Sequence, residues 1–231
     1  MRSIPFLGAM RFLFLLCMTA SATLANVPPD LASALKTFRT DAPRGWSFTQ
    51  TTHAQGQSRV EHFDAARPEF DRWTLLTQDG RAPSNEEQND YKQKLTRRSS
   101  NRTAPLLTEQ LDLSHPETVS ETAERATYRC PLKPGEAGDK TAAFLRVTLV
   151  VHKPTQCIES LEIASIGEFS PTFGVKIVEM KTVMTYSLPS ANTPSLPLTV
   201  ATHLRGRAFL VKSLDAEMTV VFEDYAKAGK K

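Results

Sequence analysis

Apolar residues recur along this chain with two different periods, and the changes of period mark out its elements. Behind Pro28-Pro29-Asp30, the residues Leu31, Leu35 and Phe38 fall at i, i+4 and i+7. That spacing predicts a short helix with one apolar stripe, capped by Asp30. From Trp46 the period drops to two. Trp46, Phe48, Gln50 and Thr52 share one face of a strand, Gly56 turns the chain, and residues 60–63 and 73–76 read as two more strands. Asp79-Gly80 is a strong turn signal, and Ser84-x-x-Glu87 after Pro83 is a capping box. The helix it starts is polar except for Tyr91 and Leu95 on one face. Beyond it the chain is strand-like. Residues 122–131, 142–152, 157–166, 176–188, 196–212 and 217–225 read as strands, with residues 169–174 irregular and Gly206 a predicted bulge.

These segments predict a mainly β protein of roughly eight to eleven antiparallel strands with hairpin-scale connections and two short helices. A long antiparallel sheet with one apolar face must cover that face. Two helices cover only part of it. The expected architecture is therefore an open, strongly curved antiparallel half-barrel with the two helices across its concave face.

The start of the chain has a different character. Arg2 and Arg11 are the only charges before Asp30, residues 12–18 are an apolar run, and Thr23-Leu24-Ala25 places small residues where a signal peptidase needs them. The apolar stretch is about fourteen residues, short of the ~20 that span a bilayer. Leu16 before Cys17 does not make a lipobox. The expected plan is a cleaved signal peptide at 1–25, one half-barrel domain at 26–226 and a disordered basic tail at 227–231, in a protein exported to the periplasm. Without Arg2 and Arg11, the 28 basic residues become 26 against 25 acidic ones, so the mature chain carries +1. Such a balance gives no argument for nucleic acid. After cleavage the chain is not expected to be an integral membrane protein.

Alternation points one set of side chains inward: Phe48, Trp73, Leu75, Val147, Leu149, Leu161, Ile163, Val178, Met180, Met184, Tyr186, Met218, Val220 and Phe222. The three methionines beyond the leader all belong to it. Flexible thioethers fill gaps in a core, and they equally suit a surface that adapts to varied apolar ligands. Both readings of this face stand: a packed core, or an apolar ligand cavity. Lys92, Lys94, Arg97 and Arg98 form a basic run that could meet anionic headgroups or a partner protein. Its bland reading is a solvated helix face, with Glu86, Glu87 and Asp90 just before it.

Several of these residues have a family likeness. The short helix, Phe48-Thr49-Gln50-Thr51, the strand pair, and Arg67-Pro68 followed by Phe70 and Trp73 resemble the LolA-like periplasmic lipoprotein carriers. Residues 73–95 resemble a proteobacterial periplasmic branch without an assigned activity; there Asp79-Gly80 leads into a polar helix, where the carriers continue into another aromatic strand. The resemblance implies a leader peptide and an open half-barrel with a helical lid over an acyl-binding cavity. It also implies that a lipid, an acylated protein or another envelope protein is the partner.

Chemistry-bearing motifs are sparse. The sequence contains no Gly-x-Ser-x-Gly, His-Glu-x-x-His, phosphate loop or Gly-x-Gly-x-x-Gly, and no Cys-x-x-Cys. His53, His62, His115, His152 and His203 are scattered, with His53 and His62 flanking one hairpin. Cys130 and Cys157 fall near opposite ends of strands two apart, too far for the ~7 Å limit of a disulfide, so two free thiols are expected. No catalytic residue, metal or cofactor is expected. The function this predicts is periplasmic binding or carriage of a lipid, acyl or other apolar ligand in a concave cavity. The alternative is a non-enzymatic cell-envelope interaction module with a fully packed core.

Overall fold

The alternating segments pair into a single sheet. The computed structural model describes residues 27–98, 107–134, 141–209 and 212–229, so the expected leader lies outside the described residues. The strands are β1 (Trp46–Ala54), β2 (Gln57–Phe63), β3 (Trp73–Gln78), β4 (Glu117–Glu121), β5 (Arg125–Pro131), β6 (Leu145–His152), β7 (Cys157–Ser165), β8 (Phe169–Thr172), β9 (Val175–Tyr186), β10 (Pro197–Ala208), β11 (Lys212–Ser213) and β12 (Ala216–Lys227). They form a 12-stranded antiparallel sheet in the order β3-β2-β1-β12-β10-β9-β7-β6-β5-β4, with β8 on β9 and β11 on β10. The helices are α1 (Pro29–Thr37), α2 (Asn85–Arg98) and the short α3 (Leu107–Gln110).

The short strands aside, sheet neighbours are sequence neighbours everywhere but at β1–β12, which joins the first and last strands of the described sheet. The sheet is thus a meander joined head to tail and cut once. The cut lies between β3 and β4, the two free edges, and the segment linking them carries α2 and α3. An uncut meander would close as a barrel; this one is an open, curved half-barrel.

Cross-strand partners carry one face right across the sheet. A single row runs Tyr128, Leu149, Leu161, Met184, Val200, Val220, Thr52, Arg59. The row begins apolar and ends polar. On its apolar half lies α1, which buries Leu31, Ala34 and Leu35 in one cluster with Tyr128, Val147, Leu149, Val151, Ile158 and Leu161. Asp30 does not cap this helix as expected. The helix starts at Pro29, and the Asp30 carboxylate accepts from Leu31 N at 2.9 Å and from the buried Tyr128 hydroxyl at 2.8 and 2.9 Å. That contact pins the helix to β5.

Three boundaries differ from the pattern. Residues 117–121, which carry no alternation, form β4, a wholly exposed edge strand, and Thr122 begins the turn into β5 through its N–H to Arg125 O at 2.8 Å. Residues 169–172 form β8 rather than an irregular segment. The strand β12 continues past the expected boundary at 226, pairing Lys227 with Trp46, and Ala228 N donates to Gly45 O at 2.8 Å. Residues 230–231 of the expected tail lie outside the described ones.

A bulge corrects one inward position. The register between β9 and β10 shifts at Arg205/Gly206, so Gly206 faces Ile177. A Cβ at Gly206 would lie 2.7 Å from Lys176 O, so only glycine permits this approach. The extra residue turns Ile177 into the core at 6% exposure beside Leu145 and Phe169, and leaves Val178 half-buried. Ile177→Ala is therefore expected to cost about 2–5 kcal/mol, and Val178→Ala about 1 kcal/mol or less. Urea unfolding of the two variants checks this, and the reverse order would refute the bulge.

Candidate functional site

The polar half of the concave face is covered differently. Between α2, residues 67–72 and the strands β1–β3 lies a recess of about 1120 Å³, lined by Gln50, Glu61, Phe63, Trp73, Leu75, Tyr91, Lys92 and Leu95 among others. A smaller recess of about 390 Å³ lies beside it, lined by Thr52, Arg59, Asp79, Asp90 and Lys94. Leu75 and Tyr91 line both, so they form the partition between them.

Local chemistry holds the start of α2. Asp79-Gly80 makes a two-residue turn with φ of 51° and 76°, closing the Gln78–Arg81 bridge, and Ser58 N donates to Asp79 Oδ1 at 2.8 Å. The capping box forms as its sequence predicts: Ser84 N donates to Glu87 Oε2 at 2.7 Å and Glu87 N to Ser84 Oγ at 3.2 Å. Arg81 adds two bonds to the same carboxylate, at 2.6 and 2.8 Å. Tyr91, 8% exposed, is the one buried side chain of α2 over residues 85–95, and Leu95 is half-buried.

The floor of the recess has an aromatic end and a charged centre. Phe48 stacks on Phe63 at 5.1 Å and meets Trp73 and Phe222 at 5.7 Å and Tyr225 at 5.6 Å. Tyr225 reaches this face because the β1–β12 register shifts between Ser47 and Thr49, with Asp224 at a left-handed φ of 54°. Its hydroxyl donates to Pro197 O at 2.7 Å. Next to the aromatics sits Glu61, 2% exposed, with Oε2 at 3.0 Å from Arg59 Nε and 3.3 Å from Gln50 Nε2. A charge this deep needs such partners, and Arg59 neutralises it.

The expected inward set divides between the two halves. Trp73 and Leu75 line the large recess, and Phe48 and Phe222 form the aromatic wall behind it. Val147, Leu149 and Leu161 are fully buried beneath α1, with Ile163 and Met184 packed against them and Tyr186 edge-on to Phe38 at 5.0 Å. Met180 packs beside Ile177, Val220 is buried, and Met218 is 37% exposed. Of the basic run, Lys92 borders the recess, and Lys94 pairs with Asp90 at 3.4 Å. Arg97 and Arg98 lie at the end of α2, where only the backbone is described. Sequence reasoning missed Arg59, Glu61 and Phe63 as one face of β2; the signal was their period-two spacing opposite Gln50 and Thr52.

Other candidate chemistry stays apart. Cys130 and Cys157 are free; burial pushes the Cys130 thiol up to about 11, which disfavours a thiolate. Cys157 donates to Thr155 O at 3.3 Å and borders a third recess of about 810 Å³ beyond the C-terminus of α1. His53 and His62 do not meet, since they pair with Ser58 and Thr49 at separate points of the β1–β2 ladder. Among the described residues no three His, Cys, Asp or Glu side chains gather as a metal site, and no helix is long and apolar enough to cross a membrane. No protein-family model, characterised relative or solved structure matches the chain.

The box at α2 makes a pH prediction. The Arg81 guanidinium, then Ser84 N–H, hold the Glu87 carboxyl down from 4.5 to about 2. A depressed carboxylate stabilises the fold above its ordinary value, and that support is lost as pH falls through the folded value. Amide protection in residues 85–91, corrected for intrinsic exchange, is expected to decline between pH about 4.5 and about 2. Glu87→Gln should lower it already at pH 7. Equal protection in both proteins across that window would discount the box as an anchor.

Proposed function

We propose that this protein is exported to the periplasm and binds an apolar or amphipathic ligand, such as the acyl chain of a lipid or an acylated protein, in the recess beneath α2. One observation supports this above the others: about 1120 Å³ of space bounded by Phe63, Trp73, Leu75, Tyr91 and Leu95 beneath α2. Ligand pockets commonly measure about 300–1,000 Å³ and combine apolar walls with a few polar groups. Here Gln50 and Glu61 supply polar groups on the floor, and Arg67, Glu69, Asp71, Arg72, Gln88 and Lys92 add a charged and polar rim. Each buried CH₂ is worth ~0.8 kcal/mol, so a fourteen-carbon chain would gain on the order of 10 kcal/mol by leaving water. The role needs no catalytic step and no cofactor. The likeness to the LolA-like carriers agrees with it.

A second function is favoured by a different observation. Beneath α1 the concave face is filled by the protein's own side chains, with Val147, Leu149 and Val151 at 0% exposure. An envelope interaction module would need no more than this.

Tryptophan quenching separates the two. The chain has two tryptophans, so Trp46→Phe leaves Trp73 alone and Trp73→Phe leaves Trp46. A brominated fatty acid is expected to quench Trp73 strongly and saturably, and Trp46 little. Native mass spectrometry of the exported protein should show bound lipid. Unquenched Trp73 together with a lipid-free mass would leave the packed module.

A further inference from the structure

The end of the sheet where β8 turns into β9 and β10 leads to β11 carries two bare phenylalanines. Phe173 is 94% exposed and Phe209 is 68% exposed. Their turns touch: Phe209 N donates to Gly174 O at 2.6 Å, and a Cβ on Gly174 would lie 2.6 Å from the Phe209 ring. Phe209 holds a left-handed φ of 50°, a costly conformation for a bulky residue, and burial of its ring does not compensate. Cations surround the pair. Lys176 and Arg207 stand directly opposite each other on β9 and β10, and Lys212 stands opposite Ala208 on β11. Lys176 meets Glu168 at 2.5 Å, while Arg207 and Lys212 have no carboxylate partner among the described residues. Like charges placed opposite one another in a sheet repel.

The two bare rings, the left-handed Phe209 and the unpaired Arg207 and Lys212 match a partner that is apolar, soft and negatively charged. We propose that this end of the sheet docks on an anionic lipid bilayer, with Phe173 and Phe209 entering the acyl boundary and Arg207 and Lys212 facing the headgroups. Charge complementarity selects the occupant: the unpaired Arg207 and Lys212 beside two bare rings suit anionic headgroups over an acyl boundary. The site shares no residue with the recess beneath α2 and does not depend on it.

Vesicle flotation tests the proposal. The exported protein is compared with Phe173→Ser, Phe209→Asn and the pair Arg207→Glu/Lys212→Glu, all with the same N-terminus, so residues 1–26 contribute equally. Asparagine tolerates the left-handed backbone at 209. Leu198→Ser, elsewhere on the surface at 39% exposure, is the control. Binding is expected to vesicles of phosphatidylcholine with phosphatidylglycerol and not to phosphatidylcholine alone, and to weaken with salt. Each phenylalanine variant should bind about tenfold or more weakly, and the charge-reversed pair should lose the preference for phosphatidylglycerol. Equal flotation of the variants and the control would overturn the assignment. So would wild-type protein that ignores vesicles but self-associates through Phe173 and Phe209 in light scattering; that would make the tip a contact between copies. Unchanged melting temperatures would exclude unfolding as the cause.

Discussion

The architecture depends first on the pairing of β1 with β12. Trp46 lies opposite Lys227, so the ladder joins strands from the two ends of the described chain. Without it, β1–β3 would be a separate three-stranded unit. Such a distant contact carries the loop-closure entropy of almost the whole domain. The joint is reinforced where it forms. Phe48 reaches across it to Phe222 and Tyr225, and cross-strand aromatic pairs contribute about 0.5–1.5 kcal/mol each beyond their burial. The bulge at Asp224 serves the same contact, because an uninterrupted β12 would send Tyr225 to the outer face.

Once the sheet is continuous, side-chain chemistry decides how each part of its inner face is covered. On β5–β7 the inward residues are aliphatic or aromatic, and α1 brings Leu31, Ala34 and Leu35 to meet them. Burying that surface is worth about 25 cal/mol per Å². On β1 and β2 the inward residues include Gln50, Thr52, Arg59 and Glu61. An apolar helix pressed onto those would strip their water without replacing it. The covering helix there is polar, touches through Tyr91, and leaves space on both sides of that ring. The recess follows from the change of floor, not from curvature alone.

The chain's pattern carries some of this plainly. Strands with one buried face, such as β6 with its strict alternation, announce themselves, and so does the Ser84–Glu87 box. The edge strand β4 buries nothing, so it leaves no periodic trace. Period two carried unbroken through β9 puts Val178 inward; the bulge opposite Gly206 depends on a pairing partner far along the chain. Occupancy is the deepest gap. Alternation says that Leu149 and Leu75 both face inward, but not that α1 fills the space above one while α2 stands off the other. That difference rests on how two distant helices dock.

The two helices also differ in how firmly they are held. Displacing α1 would expose Leu31, Ala34 and Leu35 and break the Tyr128–Asp30 contact, at a cost of several kcal/mol. Over residues 85–95, α2 buries Tyr91 and half-buries Leu95. If an acyl chain occupies the recess, its gain on leaving water is on the order of 10 kcal/mol, and α2 could move to admit it while the sheet and α1 stay intact. The fixed point of such a movement is the Arg81–Glu87 box, and Tyr91 is the contact it would have to release.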